Sequence, residues 1–208
     1  MTNMTTMVID NFLPYPGVVR SWALQQKFYD CKEMSQKYNC HNDWPGKRTH
    51  HVSDLDIDYA NVVLTKISEI ATRYYNLQNT SVSSSFQLTT KNDGDSWVHQ
   101  DNDAQLAMIL YLTPNPPRNS GTTIYHCKDI QKWQSYMGTQ SGYETLKTIN
   151  TKGDVDLYES LFEPIDIIGN VFNRLMIYPG LHFHKSNEYF GDTLENGRLT
   201  QMFFLREE

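Results

Sequence analysis

The amino-acid sequence predicts an α+β fold that is mainly β, with helices in the first part of the chain and a barrel-like set of strands after them. Apolar residues recur at three- and four-residue steps between positions 54 and 75, as on the buried face of a helix. From position 82 onward, short apolar or alternating runs are separated by Gly, Pro, Asn and Asp, as in strands joined by turns. Helices followed by strands are typical of α+β or mainly β domains.

The predicted N-terminal part begins with a short strand at residues 8–13 and a helix at residues 18–37. Residues 41–52 contain several turn residues and are predicted to form a loop. The helix at residues 54–75 has the strongest pattern. Its predicted buried face contains Leu55, Tyr59, Val62, Val63, Ile67, Ile70 and Tyr74.

The predicted strands occupy most of the remaining chain, at residues 82–90, 97–101, 105–112, 122–127, 173–178, 181–184 and 202–205. Residues 128–169 interrupt this pattern, because they are polar, contain Gly and Thr, and carry only scattered aromatic residues. Two interpretations stay open for this segment. It forms either a lid or substrate-binding insertion or a peripheral helical decoration.

The length and charge of the chain limit its organisation and its partners. A chain of 208 residues has the size of one domain. We expect residues 1–208 to form that domain, with helical support from residues 1–80, a barrel core at residues 81–205 and an insertion at about residues 128–169. The formal net charge is −6, without a basic segment, so nucleic acid is not an expected partner.

The cysteines and the apolar runs indicate the cellular compartment. Cys31, Cys40 and Cys127 are an odd number without CxxC spacing, which predicts neither a disulfide framework nor a zinc motif. No apolar run approaches the roughly 20 residues of a membrane helix, and the first residues lack the pattern of a secretion signal. We expect a cytoplasmic protein with no membrane association.

A metal site is predicted around His99-Gln100-Asp101. Side chains two residues apart point to the same side of a strand, so His99 and Asp101 would present an imidazole and a carboxylate together. His182 and His184, in the predicted strand at residues 181–184, are candidates for a third ligand. Two histidines and one carboxylate on one face of a metal suit non-haem Fe(II) oxygenases. Taken alone, the His-x-Asp triplet is a weak signal, because a strand histidine is more often a structural residue.

The order of these residues resembles a known family. His99-x-Asp101 is followed by a distal histidine and then by Arg198, which opens the last strand. This series is similar to that of the Fe(II)- and 2-oxoglutarate-dependent dioxygenases, most closely the prolyl-hydroxylase-like small oxygenases. The resemblance implies a double-stranded β-helix, that is, a jelly-roll or cupin-like barrel, flanked by N-terminal helices. Trp44-Pro45-Gly46-Lys47-Arg48 also resembles that branch, with lower specificity.

The resemblance also implies roles for single residues. His99, Asp101 and a distal histidine would hold Fe(II). His184 is preferred to His182 as the distal histidine, because Phe183-His184-Lys185-Ser186 is similar to the Phe/Trp-His-Ser segment of the family. Arg198 would bind the distal carboxylate of 2-oxoglutarate. The hydroxyl groups of Thr200 and Tyr111 are further candidates for binding this co-substrate, and Gln87 and Trp97 are candidates for lining the pocket.

The implied activity is hydroxylation of a C–H bond with O₂ and 2-oxoglutarate, releasing succinate and CO₂. An amino-acid or peptidyl side chain or another small molecule is the expected substrate. Two alternatives come from other classes: a non-catalytic barrel, and a cupin-like metal-binding barrel that uses His99, His182 and His184 without 2-oxoglutarate. The sequence gives no prediction of the oligomeric state.

Overall fold

Two antiparallel β-sheets and seven helices form the described part of the chain, residues 6–38, 43–75, 80–149 and 155–207 of a computed structural model. In chain order the elements are β1 (Met7–Ile9), α1 (Pro16–Leu24), α2 (Cys31–Tyr38), β2 (Lys47–Arg48), α3 (Val52–Leu55), α4 (Ile57–Ala71), β3 (Thr80–Thr89), β4 (Leu106–Tyr111), β5 (Thr122–Cys127), α5 (Ile130–Met137), α6 (Gln140–Thr148), α7 (Val155–Leu161), β6 (Phe162–Ile168), β7 (Leu175–Pro179), β8 (Phe183–Ser186) and β9 (Arg198–Glu207). The larger sheet has the strand order β1-β7-β4-β9-β3-β2, and the smaller sheet has the order β6-β5-β8. The predicted mixed, mainly β architecture is confirmed. Closure into a jelly-roll barrel stays a prediction.

Strand β4 lies inside the larger sheet and is buried on both faces. Met108 and Leu110 pack on the side that the helices cover, whereas Ile109 and Tyr111 form a cluster with Ile124 of the smaller sheet. Because side chains alternate along a strand, a strand covered on both sides is apolar throughout. We call the side of the larger sheet that faces the smaller sheet its inner face.

Strand β9 places polar groups on this inner face. It pairs antiparallel with β3 along its whole length. Leu199, Phe203 and Leu205 pack on the helix side, so the residues that alternate with them, including Arg198 and Thr200, face inward. The polar part of the last strand is therefore turned toward the space between the sheets.

Helix α4 supplies much of the apolar layer behind the larger sheet. Ala60, Val63 and Ile67 are buried there, and Asp56 caps the N-terminus by accepting a hydrogen bond of 2.9 Å from the backbone N–H of Tyr59. The helix is shorter than the predicted span of residues 54–75, because the separate short helix α3 precedes it and because it ends at Ala71. Two residues assigned to its buried face, Val62 and Tyr74, are 69% and 65% exposed.

The helix predicted at residues 18–37 is in fact two helices, α1 and α2. Between them, Tyr29 exchanges two backbone hydrogen bonds of 2.8 and 2.9 Å with Arg48 of β2, so the chain is extended there. Asp30 and Glu33 then start α2, because each side chain accepts a hydrogen bond from the other residue's backbone N–H. The predicted loop at residues 41–52 contains β2, while residues 41 and 42 lie outside the described part.

The segment at residues 128–169 contains three helices, α5 to α7, and the strand β6. Trp133, Leu146 and Phe162 of this segment form an apolar cluster with Tyr125 and Phe183 of the smaller sheet. The segment is therefore largely helical, and both interpretations, a substrate-binding insertion and a peripheral decoration, stay predictions. Strand β6 was not predicted, because five of its residues are exposed and give no apolar alternation. Across the described ranges, no helix combines the length and apolar character needed to cross a bilayer.

Candidate active site

The segment from Trp97 to Asp101 lies beside β8, but it is not the regular strand that the sequence predicted. His99 forms one isolated bridge with His184, in which the two residues exchange backbone hydrogen bonds of 3.0 and 2.9 Å. Two residues further on, the backbone N–H of Asp101 donates to the carbonyl oxygen of Gly180 at 2.8 Å. These three bonds bring His99 and Asp101 to the same place as His184.

The two imidazoles are oriented by the backbone. Nδ1 of His99 donates to the carbonyl oxygen of Trp97 at 2.9 Å, and Nδ1 of His184 donates to that of His182 at 2.9 Å. A carbonyl oxygen can only accept, so the proton of each neutral ring lies on Nδ1 and the lone pair lies on Nε2. Metal-binding histidines usually have this arrangement, with the second nitrogen held by a hydrogen bond.

The side chains of His99, Asp101 and His184 form a group that could hold a metal ion. One potential ligand atom from each residue lies within 4.8 Å of the other two. Nε2 of His184 lies 3.3 Å from Oδ2 of Asp101, and Nε2 of His99 lies 3.9 Å from Oδ1. Oδ2 of Asp101 is buried and has no hydrogen-bond partner. A lone pair facing a carboxylate oxygen is stable only with a proton or a cation between them, so the donor set fits a metal ion.

The protonation states of this group also suit metal binding. Burial, with the nearby His184 acting in the same direction, lowers the pKa of His99 to about 4. Burial alone would raise the pKa of Asp101, but the interactions with His184 and His99 outweigh it and lower the pKa to about 2. At neutral pH His99 is therefore uncharged and Asp101 is ionised, as metal ligation requires.

Arg198 is a buried cation whose charge acts on Tyr178, the ring neighbour of His184. Only 3% of Arg198 is exposed. Its Nε donates to the carbonyl oxygen of Ser120 at 2.9 Å, and its guanidinium carbon lies 5.4 Å from the ring centre of Tyr111 and 6.0 Å from that of Tyr189. Within the described residues, no ion pair connects Arg198 to a carboxylate. Buried charges are normally paired, so this site fits an external anion.

Two hydroxyl groups near Arg198 are also without a partner. The hydroxyl oxygens of Thr200 and Tyr178 are buried and form no hydrogen bond. The Tyr178 ring lies 4.7 Å from the His184 ring, so it connects the two parts of the site. Tyr111, in contrast, already donates from its hydroxyl to Oγ1 of Thr122 at 2.8 Å. A guanidinium with two free hydroxyls nearby has the chemistry of a carboxylate-binding site.

A cavity of about 670 Å³ opens onto the metal-binding group. Its wall combines this group with aromatic and basic side chains, among them Arg48, Trp97, His99, Asp101, Tyr178 and His184. This volume is within the range of small-molecule binding sites.

Comparison with known proteins identifies the family. A protein-family model described as "Family of unknown function (DUF6445)" matches residues 2–205. The chain belongs to the DUF6445 family. A comparison with curated proteins finds no matching sequence.

Solved structures similar to this DUF6445 chain include several oxygenases. HygX from Streptomyces hygroscopicus, with nickel and 2-oxoglutarate bound, has a TM-score of 0.64 at 11% identity, covering 98% of this chain and 83% of HygX. SnoK, a non-haem α-ketoglutarate-dependent carbocyclase of nogalamycin biosynthesis, has a TM-score of 0.60 at 12% identity, covering 98% and 80%. A Trichoplax adhaerens prolyl hydroxylase, in complex with a hypoxia inducible factor peptide, has a TM-score of 0.55 at 14% identity, covering 99% and 84%. The likeness is one of fold, shared with 2-oxoglutarate-dependent oxygenases.

The DUF6445 structure separates the two distal histidines that the sequence left as alternatives. If both histidines lay in one strand, the alternation of side chains would point His182 and His184 to the same side. However, β8 begins only at Phe183, and His182 precedes it in a turn after Gly180. His182 contributes its carbonyl oxygen to His184 and does not belong to the metal-binding group.

Two of the other predicted residues of this DUF6445 chain line the cavity, whereas Arg198, Thr200 and Tyr111 are not among its lining residues. Arg198, Thr200 and Tyr111 face inward from the larger sheet, and Gln87 and Trp97 line the cavity. Tyr178 and Arg48 are among the cavity residues that were not predicted as site residues, because Tyr178 was assigned only to a strand and Arg48 to a loop segment with a less specific resemblance to the family. The signal for Arg48 was its position after the turn Trp44-Pro45-Gly46, but pairing with β3 cannot be derived from that position.

Proposed function

We propose that this protein is an Fe(II)- and 2-oxoglutarate-dependent dioxygenase that hydroxylates a C–H bond of an amino-acid or peptidyl side chain or of another small molecule. In this reaction one oxygen atom of O₂ enters the substrate as a hydroxyl group and the other enters succinate, while C1 of 2-oxoglutarate leaves as CO₂. One observation carries the proposal. The donor set His99, Asp101 and His184 supports it together with the buried Arg198, for which the described residues supply no anion and whose charge acts on Tyr178, the ring neighbour of His184.

His99, Asp101 and His184 would hold the iron from one side. Nε2 of each histidine and a carboxylate oxygen of Asp101 are the available donor atoms. Such a set leaves the opposite positions of a six-coordinate ion open for co-substrates. Bound Fe(II) supplies the activation of O₂, which no side chain can provide.

Arg198, Thr200 and Tyr111 would bind 2-oxoglutarate. The planar guanidinium of Arg198 can donate two parallel hydrogen bonds to the distal carboxylate, and the free hydroxyl of Thr200 can donate a third. Tyr111 stacks beside the guanidinium and can add its phenol if its bond to Thr122 rearranges. Burial of this region excludes water, which strengthens each of these interactions.

The proposal is tested by adding Fe(II) and then 2-oxoglutarate to the protein without oxygen. We expect a visible metal-to-ligand charge-transfer band, followed after admission of air by formation of succinate. A folded protein that gives neither the band nor succinate would contradict the proposal. If metal binds without the band, the alternative of a cupin-like metal-binding barrel is favoured. If no metal binds, the alternative of a non-catalytic barrel is favoured.

A further inference from the structure

Arg48 reaches the same cavity from the edge of the larger sheet. Its strand β2 pairs with β3, with Arg48 opposite Gln87. Gly46 permits this pairing, because it has a φ of +73° and a side chain there would collide with the backbone of Leu88. The Arg48 guanidinium stacks on Trp44, 4.3 Å from the ring centre, and lines the cavity wall.

The guanidinium of Arg48 has almost no partners. Its Nη2 lies 3.4 Å from Oε1 of Gln87, which is a long hydrogen bond, and its buried Nε has no acceptor. In the part of the chain that the structure describes, it forms no ion pair. Burial lowers its pKa to about 10, while Asp101 acts in the opposite direction. Arg48 therefore stays charged at neutral pH.

Other charged groups of the cavity wall are already paired. Arg206 donates from Nε to Asp103 at 2.7 Å and also bonds Ser83, and Asp43 is paired with Lys147. Arg48 and Asp101 are the exceptions among the described charged side chains of this wall. Asp101 would become a metal ligand under the proposed function.

With Fe(II) and 2-oxoglutarate bound, the positive charge of Arg48 would have no balancing negative charge in the site. The two positive charges of Fe(II) and the one of Arg198 would be balanced by Asp101 and by the two carboxylates of 2-oxoglutarate. Arg48 would remain as a partly buried cation without a counter-charge. A cation in such a position favours an anionic ligand.

We propose that Arg48 binds a carboxylate of the primary substrate, which is therefore a small organic acid or an amino acid whose carboxylate is free. This inference rests on the proposed function, because it takes 2-oxoglutarate to be held elsewhere, at Arg198. The aromatic side chains of Trp44, Trp97 and Phe204, which also line the cavity, would contact the apolar part of that acid. The substrate would lie between Arg48 and the metal-binding group.

The test compares acids with their uncharged amides. Wild-type protein loaded with Zn(II) and 2-oxoglutarate is titrated with hexanoate, hydrocinnamate and N-acetyl-L-phenylalanine and with the primary amide of each, and binding is followed by ligand-observed NMR. We expect at least one acid to bind about tenfold more tightly than its amide, as for a hydrogen-bonded charge pair. Arg48→Gln should lose this preference. The matched control Arg206→Gln should keep it, because Arg206 lines the same cavity but is already paired with Asp103.

Three results would overturn the inference. The first is that every acid and its amide bind equally well, and the second is that the preference for the acid survives in Arg48→Gln. The third is that Arg48→Gln loses the Fe(II)–2-oxoglutarate band, which would make Arg48 the co-substrate anchor. The Fe(II)–2-oxoglutarate band of the wild-type protein distinguishes a failure of this inference from a failure of the proposed function. Absence of the wild-type band counts against the dioxygenase, whereas a normal band with unchanged acid binding counts only against the role of Arg48.

Discussion

His99 and His184 exchange two backbone hydrogen bonds, and their imidazole rings lie with centroids 4.3 Å apart. The backbone also holds Nδ1 of each ring. The ligand atoms are therefore oriented before any metal binds, which is the condition for a tight and selective site.

Replacement of single histidines should distinguish the metal ligands from a histidine that only lies near the metal site. We expect His99→Ala and His184→Ala to weaken Ni(II) binding by more than about 100-fold, because loss of an outer partner alone costs about 10- to 100-fold. His182→Ala should bind Ni(II) nearly as well as wild type, because His182 orients His184 through its backbone carbonyl oxygen, which alanine retains. Isothermal titration calorimetry gives the affinities. Equal losses in His182→Ala and His184→Ala would contradict the assignment of His184.

A side chain at Gly180 should disturb the metal-binding group by displacing the backbone of Asp101. A Cβ atom there would lie 2.7 Å from the carbonyl oxygen of Asp101 and would also collide with that of Ala104. We expect Gly180→Ala to displace Asp101 and to weaken Ni(II) binding by about 10- to 100-fold. Gly17→Ala is the matched control, since nothing lies within 4 Å of a Cβ at Gly17. Wild-type affinity in Gly180→Ala would show that the backbone contact at Asp101 is not needed.

Replacement of Arg198 should remove co-substrate binding and leave metal binding intact. We expect Arg198→Gln to bind 2-oxoglutarate about 100-fold more weakly, because two charge-assisted hydrogen bonds are lost. Arg198→Lys should be intermediate, since an ammonium group cannot donate two parallel bonds. Titration of the charge-transfer band under anaerobic conditions measures both variants. Undiminished 2-oxoglutarate binding in Arg198→Gln, with Ni(II) affinity preserved, would exclude Arg198 as the anchor.

The hydroxyl of Thr200 should matter for binding and not for folding. Thr200→Val has nearly the same shape and removes a buried oxygen that has no hydrogen-bond partner. We therefore expect unchanged or greater stability, by up to about 1 kcal/mol, together with weaker 2-oxoglutarate binding. Urea unfolding and band titration give the two quantities. A clear loss of stability would mean that the hydroxyl has a structural partner.

The stability of the metal-free protein should depend on pH through His99. Its pKa is lowered to about 4 from the ordinary value of 6.5, so between these values the unfolded chain binds a proton that the folded chain does not. The free energy of unfolding therefore falls as the pH decreases through this window. One group contributes at most about 1.4 kcal/mol per pH unit, and we expect less here because 37% of the His99 side chain is exposed.

Urea unfolding in the presence of a chelator, at several pH values, should show a smaller pH slope for His99→Gln than for wild type. Asp101 does not contribute in this window, since its pKa moves from 3.8 to about 2 and acts only at lower pH. Identical slopes for the two proteins would assign the pH dependence to other groups.

Local patterns predicted the strands that are buried along all or most of their length. The apolar run of β4 and the strand β5 were predicted with little error, because burial on a sheet face leaves a visible pattern in the sequence. The exposed strand β6 has no such pattern. The division between α1 and α2 has a local signal in Asp30 and Glu33, but the apolar residues on either side suggested one continuous helix.

The candidate site shows the same limit. The spacing of His99 and Asp101 and the distal position of His184 are visible in the sequence, and the structure brings these three together. The position of Arg48 depends on pairing between β2 and β3, which residue types near Arg48 do not specify. The irregular path around His99 also has no sequence signature, since a single bridge replaces the expected strand.

The pairing of His99 with His184 joins two segments that are far apart along the chain. A metal ion bound there would act as a removable cross-link around the loop at residues 99–184. For a permanent cross-link around a loop of this length, the reduction of unfolded-state entropy would contribute up to about 4.6 kcal/mol. The lifetime of the folded chain, and with it its resistance to proteolysis, would then rise and fall with the supply of metal.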